Sequence, residues 1–200
     1  MEYEVLLTLP KIKKPKECMN TVVSRLQDYL MKEATKTFGP RSGGVKLDLP
    51  KIVNGSEYPE VQFSYDKLSA YANLTDEAGE RWENMVYQLA HELVHLLDPR
   101  PRHPDGPGAT WFEEAIATSF GRKYLHLLAR EVWEPKNEYE YAYKCVTEAG
   151  TNHLYLAGKL RQEYGHLSDI PEFALESAFK CRPEISKQLS QRFHDQTRIA

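Results

Sequence analysis

The sequence predicts an α+β protein, because strand-like segments come early in the chain and helix-like segments follow them. Within residues 1–75, short segments alternate apolar and polar side chains between Pro- and Gly-containing turns. From residue 76 onward, apolar side chains recur mostly at helical spacing. We therefore expect a single domain of 200 residues, with a mixed strand and helix half at 1–75 and a helical half at 76–200.

The composition predicts a cytoplasmic protein without nucleic-acid or membrane partners. The formal net charge is −3, so there is no excess of positive charge to attract a nucleic acid. No segment reaches the roughly 20 apolar residues of a membrane span, and "MEYEVLLTLPKIKKPK" lacks the pattern of a signal peptide. Cys18, Cys145 and Cys181 lie far apart, which fits reduced thiols better than a disulfide framework. Nothing in the sequence indicates an oligomeric state.

The first half combines strand signals with one helix. "YEVLLTL" predicts a strand that ends before Pro10. "MNTVVSRLQDYLMKEATKTF" has helical spacing and ends in the turn-forming "GPRSGG". "VKLDLPKIV" and "YPEVQFSYDKLSAYANL" alternate as half-buried strands do.

The second half reads as a series of helices. In "TDEAGE", Thr75 or Asp76 can cap a helix that we expect at about 77–97. After the Pro/Gly-rich break at 98–110, "TWFEEAIATSFGRKYLHLLAREVW" predicts a helix that bends near Gly121. Three further helical segments follow, namely "NEYEYAYKCVTEAG", "HLYLAGKLRQEYG" and "IPEFALESAFKCRPEISKQLSQRFH".

The segment "LAHELVHLLD" places three ionisable side chains in an otherwise apolar helix. Polar groups that become buried need partners. His91 and His95 are four residues apart, so both imidazoles lie on one helix face and can reach one ion. Glu92 points to the flank of that face, where a carboxylate can take a proton from water. This is the H-E-x-x-H pattern of zinc sites.

A catalytic zinc site needs a third protein ligand. The extended pattern H-E-x-x-H-x-x-G-x-x-H fails, because Asp98 and Pro101 occupy its glycine and histidine positions. Asp98 or His103 would need a special loop to reach the ion. The remaining source is a glutamate of the next helix, in "TWFEEAIAT".

Together, "HELVH" and "WFEEAIA" resemble the gluzincin metallopeptidases, the group that includes thermolysin and the zinc aminopeptidases. In that group the second helix often carries W-x-x-E followed by small residues, and the glutamate is the third zinc ligand. Trp111 and Glu114 match this pattern, with Ala115 and Ala117 as the small residues. The resemblance covers about residues 80–125.

The resemblance implies a zinc-dependent peptidase with a zincin-like fold. It implies that Zn²⁺ is held by His91, His95 and Glu114. Glu92 would then act as the general base, on a peptide or protein substrate. It also implies that the strand before the motif helix, in "VQFSYDKLSAYANL", is an exposed edge that pairs with extended peptide. The cleft would lie between the two halves of the chain.

Glu113 competes with Glu114 for the role of third ligand. The helical neighbours of Glu114 are mostly small, so its face can approach the motif helix closely, whereas Glu113 could be solvated or hydrogen-bond to a ligand. Asp98 and Thr118 are candidates for orienting the ligands. The loop from Asp98 to Thr110 is either a solvated Pro/Gly linker or a segment that shapes substrate choice through four polar residues: Arg100, Arg102, His103 and Asp105.

The resemblance also calls for a downstream histidine or tyrosine that stabilises the oxyanion. The candidates are Tyr139, Tyr141, Tyr143 and His153. The segment "SAYANLT" does not match the Gly-x-Met-Glu-Asn segment of the aminopeptidases, so the sequence does not choose between exo- and endopeptidase.

Two other interpretations stay open. One is an intracellular zincin-like regulator that binds or cleaves one dedicated protein partner. The other is a metal-free helical scaffold in which His91 and His95 hydrogen-bond within the core. Hydrolysis of generic peptides would separate the peptidase from the regulator, and metal content would separate both from the scaffold.

Overall fold

The structure, a computed structural model, confirms the α+β class, since a small sheet lies among mostly helical elements. It describes residues 9–10, 13–100, 108–133, 138–148 and 150–193. The strand predicted at "YEVLLTL" falls outside the described residues, except for Leu9.

The helix predicted at "MNTVVSRLQDYLMKEATKTF" is confirmed. A 3₁₀ turn at Pro15–Cys18 and a π-helical turn at Met19–Val23 lead into α1, Ser24–Phe38. Its buried residues recur at helical spacing and include Leu26, Leu30, Ala34 and Phe38. Gly39 ends the helix with a φ of +96°, a conformation that glycine adopts without strain.

The sheet is built around one central strand, β4 at Ser69–Leu74. Two short strands, β1 at Lys46–Leu47 and β2 at Lys51–Ile52, pair with it in parallel. β3, Glu60–Phe63, pairs with it antiparallel through a tight turn. The expected edge strand before the motif helix needs correction, because β4 directly precedes that helix and is paired on both sides. The edge belongs to β3, which within the described sheet pairs with β4 alone.

The helix expected at 77–97 is two helices. α2 spans Asp76–Glu80 and α3 spans Trp82–His95, with Arg81 extended between them. Thr75 stands at the N-cap, but its hydroxyl accepts from the Gln88 amide at 2.7 Å, and Gln88 Oε1 accepts from the Thr75 backbone N–H at 3.1 Å. These groups are 13 residues apart. A straight helix would separate them by about 20 Å, so the chain must fold back between them.

The helix after the Pro/Gly-rich break is α4, Trp111–Tyr124. The expected bend at Gly121 is wrong, because that glycine lies within regular α-helix. The helix widens instead into a π-helical turn at Leu125–Ala129 and ends at Arg130, whose φ is +61°. Gly121 serves the packing of α4 against α3.

The remaining predicted segments are helical, but the last of them forms two helices, and its residues 191–193 lie outside both. They comprise α5 at Glu138–Thr147, α6 at His153–Tyr164, a 3₁₀ turn at Leu167–Asp169, α7 at Glu172–Phe179 and α8 at Pro183–Ser190. One hydrophobic core includes side chains from α1, β4, α3, α4, α6 and α7, so both halves of the chain contribute to it. Among the helices that the structure describes, none is long and apolar enough to cross a membrane.

Candidate metal centre

Helices α3 and α4 bring His91, His95 and Glu114 together. The Nε2 atoms of the two histidines lie 3.3 Å apart. Glu114 Oε2 lies 3.1 Å from His91 Nε2 and 3.6 Å from His95 Nε2. Two imidazole nitrogens and one carboxylate oxygen therefore converge on a single point, as the motif spacing predicts.

The approach of α4 to α3 depends on a small residue. A Cβ atom on Gly121 would lie 3.1 Å from both the ring and the backbone carbonyl of Tyr87, which is on α3. A larger side chain would push the helices apart, since contacts below about 3.4 Å require the neighbour to move. At the start of α4, Thr110 caps the helix by accepting from the Glu113 backbone N–H. The partial positive charge at this helix N-terminus stabilises the carboxylates of Glu113 and Glu114 in the first turn.

The three atoms fit a zinc ion. Zinc in proteins is usually tetrahedral, with Zn–N and Zn–O distances near 2.0–2.1 Å, so two ligand atoms lie about 3.3–3.4 Å apart. The observed separations of 3.1, 3.3 and 3.6 Å bracket that value. His91 and Glu114 are nearly buried, with 7% and 12% of their side chains exposed. This set leaves one tetrahedral position for a non-protein ligand.

Glu113 lies on the other side of His95. Its Oε1 accepts from His95 Nδ1–H at 2.8 Å. This hydrogen bond places a proton on Nδ1, so Nε2 is the His95 nitrogen that faces His91 and Glu114. The two adjacent glutamates thus take different places: Glu114 faces both histidines, and Glu113 orients one of them from behind.

Glu113 is held by groups from the far end of the chain. The Ser168 hydroxyl donates to Glu113 Oε2 and accepts from the Thr110 backbone N–H at 3.0 Å. His166 lies beside them; its Nδ1 accepts from Ser168 N–H, and its Nε2–H donates to the Asp98 carbonyl. The sequence analysis missed Ser168 and His166. No spacing rule links Ser168 to Glu113, which lies 55 residues earlier in the chain.

The charges of the site act on each other. Burial lowers the pKa of His95, but Glu114 and Glu113 outweigh this effect and hold it well above 6.5. Burial raises the pKa of Glu114, yet the neighbouring histidines bring it well below its ordinary value. The pKa of Glu113 is also lowered, since His95 outweighs burial. Both carboxylates are therefore ionised at neutral pH.

The site opens into a cavity of about 840 Å³. One wall comes from the segment before and within β3 and from the start of α2, and the opposite wall from α3, α4 and α5. The cavity thus lies between the two halves, where the cleft was expected. Glu92 is 3% exposed and lines this cavity. It is not one of the three converging groups.

Of the four oxyanion candidates, Tyr139 alone lines the cavity. Its ring lies edge-on to His91, with 6.0 Å between ring centroids. Tyr141 packs on Trp111, Tyr143 packs under the Arg122 guanidinium, and His153 hydrogen-bonds to the Gly150 carbonyl.

The other sequence candidates contribute less directly. Asp98 lines the cavity, and its backbone carbonyl accepts from His166. Thr118 is fully buried in α4 beside Tyr87. Arg100 forms a two-pronged ion pair with Asp169 at the cavity wall. Arg102, His103, Asp105 and Pro101 lie outside the described residues.

No protein-family model, curated protein or solved structure matches this chain. The case for a metal centre therefore rests on the geometry of the chain itself.

Proposed function

We propose that this protein is a zinc-dependent peptidase of the gluzincin type, with His91, His95 and Glu114 as ligands. The observation that carries the proposal is the convergence of His91 Nε2, His95 Nε2 and Glu114 Oε2 at zinc-ligand separations, beside a cavity of about 840 Å³. The oriented His95 supports it, because histidine ligands commonly donate their second N–H to a carboxylate.

The reaction would be hydrolysis of a peptide bond. Zinc in a three-ligand site supplies Lewis acidity to a water molecule and to a carbonyl group. Glu92 accepts a proton from the attacking water and delivers it to the amine nitrogen as the C–N bond breaks. A new C–O bond forms at the carbonyl carbon, so the products are a carboxylic acid and an amine. The place of Glu92 in the cavity wall, outside the ligand group, suits this role.

Tyr139 is the candidate donor to the developing oxyanion. Burial, and then the charges of Glu114 and Glu92, raise the pKa of Tyr139 well above its ordinary value. The phenol therefore keeps its proton at neutral pH and can donate a hydrogen bond. Substrate backbone would align with β3, whose residues Glu60 and Val61 line the cavity.

A metal-free network is the competing interpretation. A protonated His95 could donate Nδ1–H to Glu113 and Nε2–H toward Glu114, which would satisfy both carboxylates without an ion. The raised pKa of His95 is compatible with that arrangement. Metal content separates the two interpretations.

The test measures bound zinc by mass spectrometry in protein purified without chelator. Wild type, His95→Ala and Glu114→Ala are compared, with Glu92→Gln as a variant that keeps every ligand. We expect about one zinc per chain in wild type and Glu92→Gln, and almost none in the other two. Peptide libraries are then hydrolysed by wild type and not by Glu92→Gln.

Each failure has its own meaning. If the wild-type protein contains no zinc, even after zinc is added, the metal-free scaffold is the interpretation that remains. Zinc without hydrolysis of any peptide would favour the regulator with one dedicated partner. If Glu114→Ala keeps its zinc and Glu113→Ala loses it, then Glu113 is the third ligand and Glu114 is not.

A further inference from the structure

The chain near its C-terminal end pairs with the start of α4. Trp111 N–H donates to the Gln191 carbonyl, and Phe193 N–H donates to the Ala109 carbonyl, both at 3.0 Å. Thr110 and Arg192 form the antiparallel bridge between them. We call residues 191–193 the C-terminal strap. The strap is attached to the helix end that carries Glu113 and Glu114, although α5 to α8 intervene in the chain.

The strap places Phe193 in the wall of the cavity. The side chain is nearly buried, and its ring contacts Trp111 at 4.7 Å and Tyr139 at 4.9 Å between centroids. Tyr139 in turn contacts His91 at 6.0 Å. Four rings therefore form a continuous row that ends at a candidate zinc ligand.

The Tyr139 ring has two neighbouring rings, those of His91 and Phe193. Loss of the Phe193 ring would leave an empty space beside Tyr139, into which the phenol can turn.

We propose that Phe193 is a positioning residue, which keeps the Tyr139 ring against His91 in the cavity wall. This inference rests on the proposed peptidase function in one respect: the consequence for rate requires Tyr139 to act on the substrate. The contact itself can be measured without any activity.

A double-mutant cycle tests the effect on rate. Tyr139→Phe should lower kcat about 100-fold, the usual loss for one oxyanion donor. Phe193→Ala should lower kcat at least about tenfold with little change in KM. The misplaced Tyr139 hydroxyl would no longer stabilise the negative charge of the transition state, and the bound substrate does not carry that charge. In the Tyr139→Phe background, Phe193→Ala should change kcat less than about twofold. If the two effects multiply instead, Phe193 does not act through Tyr139.

A matched control separates positioning from general loss of packing. Phe179→Ala removes another buried ring, which contacts Phe112 and does not line the cavity. It should lower thermal stability to a similar extent and leave kcat of the folded protein unchanged. Phe193→Leu keeps most of the apolar volume and supplies a folded variant if Phe193→Ala is too unstable. A loss of kcat in Phe179→Ala equal to that in Phe193→Ala would overturn the inference.

The contact is measured by nuclear Overhauser effects between the Tyr139 and His91 rings. We expect the effect in wild type and Phe179→Ala, its loss in Phe193→Ala, and its weakening in Phe193→Leu, which leaves a smaller space beside Tyr139. Its persistence in both Phe193 variants would overturn the inference. Wild-type zinc content and peptide hydrolysis are measured alongside, so failure of the proposed function is seen separately from failure of the ring contact.

Discussion

At the scale of single residues, Glu113 and Glu114 have different surroundings although they are neighbours in the chain. Successive residues of a helix point about 100° apart. One turn of α4 can therefore present Glu114 to the Nε2 atoms of both histidines and Glu113 to Nδ1 of His95. The pair of acids at the start of α4 places negative charge on two sides of His95, and these charges raise its pKa against the effect of burial.

The hydrogen bonds that link Ser168, Glu113 and His95 predict that changes to this chain weaken zinc binding without abolishing it. Glu113→Gln removes the charge behind His95, and Ser168→Ala removes the hydroxyl that holds that carboxylate. Either change should weaken zinc binding about 10- to 100-fold while one zinc per chain still binds at saturation. Competition with a chelator of known affinity measures this.

Ser190→Ala is the control for Ser168→Ala. Its hydroxyl donates to the Lys187 carbonyl within α8, outside the cavity. Unchanged affinity in both Glu113→Gln and Ser168→Ala would contradict a role for this hydrogen-bonded chain in metal binding.

The raised pKa of His95 predicts proton release on zinc binding. A raised pKa means that His95 keeps its proton to higher pH, so the metal-free protein carries that proton at pH 7. Zinc must displace it, and we expect about one proton released per zinc at pH 7. The number should fall towards zero once the pH exceeds the folded-state pKa. Calorimetry in two buffers of different protonation enthalpy counts the protons, and no release at pH 7 would contradict the prediction.

How far the site could be predicted depends on the distance between its residues in the chain. His91, Glu92 and His95 share one helix, so spacing alone places them together. Glu114 follows in the next helix and was predicted by resemblance and by its small neighbours. Ser168 and Phe193 could not be predicted, because they reach the site through tertiary contacts that no local pattern encodes.

At the scale of elements, two glycines set how closely helices pack. Gly121 brings α4 against Tyr87 of α3, in the helix pair that holds the candidate ligands. Gly158 brings α6 against the end of α1, where a Cβ atom would overlap the Thr37 carbonyl oxygen. Both positions exclude a side chain, Gly158 more strictly, and only Gly121 belongs to the helix pair that carries the candidate ligands.

Alanine at the two glycines should therefore have different consequences. Gly121→Ala should lower the free energy of unfolding by about 1–3 kcal/mol, because extra volume is forced into a packed contact. Gly158→Ala should lower it at least as much, because its Cβ would overlap a backbone carbonyl. Only Gly121→Ala should also weaken zinc binding, since it moves α4 away from α3. Denaturant unfolding and zinc titration measure the two effects. Equal zinc affinity in the two variants would show that the α3–α4 separation does not set the ligand geometry.

Periodicity predicted the helices well and their interruptions poorly. In α1, α4 and α6, apolar residues recur at helical spacing along the buried face. This pattern is local, so it can be recognised in the sequence of each helix alone. The break at Arg81 has another cause. It follows from the paired hydrogen bonds of Thr75 and Gln88, which form only when α2 folds back along α3.

At the scale of the whole molecule, negative charge is concentrated in the cavity. Among the described residues that line it, Arg100 is the one Lys or Arg, and Asp169 pairs with it. The acidic lining residues are Glu57, Glu60, Asp76, Glu77, Glu92, Asp98, Glu113, Glu114 and Glu138. The net charge of the whole chain is only −3, so the described residues of the cavity wall are more acidic than the chain as a whole.

This distribution predicts a preference for cationic peptides. The field of the cavity attracts positive side chains and repels negative ones. We expect kcat/KM to be at least about tenfold higher for a peptide with lysine near the scissile bond than for its glutamate counterpart. The preference should shrink as salt rises to about 0.5 M, where charges are screened. Equal rates for both peptides at low salt would contradict it.

The hydrogen bond between Ser168 and Glu113 also has a consequence for the order of biosynthesis. A ribosome delivers both histidines and Glu114 while Ser168, 55 residues after Glu113, is still to be made. A nascent chain halted before Ser168 would hold all three proposed ligands without the hydroxyl that steadies Glu113. We expect the proposed site to bind zinc more weakly in that nascent chain than in a chain that includes Ser168.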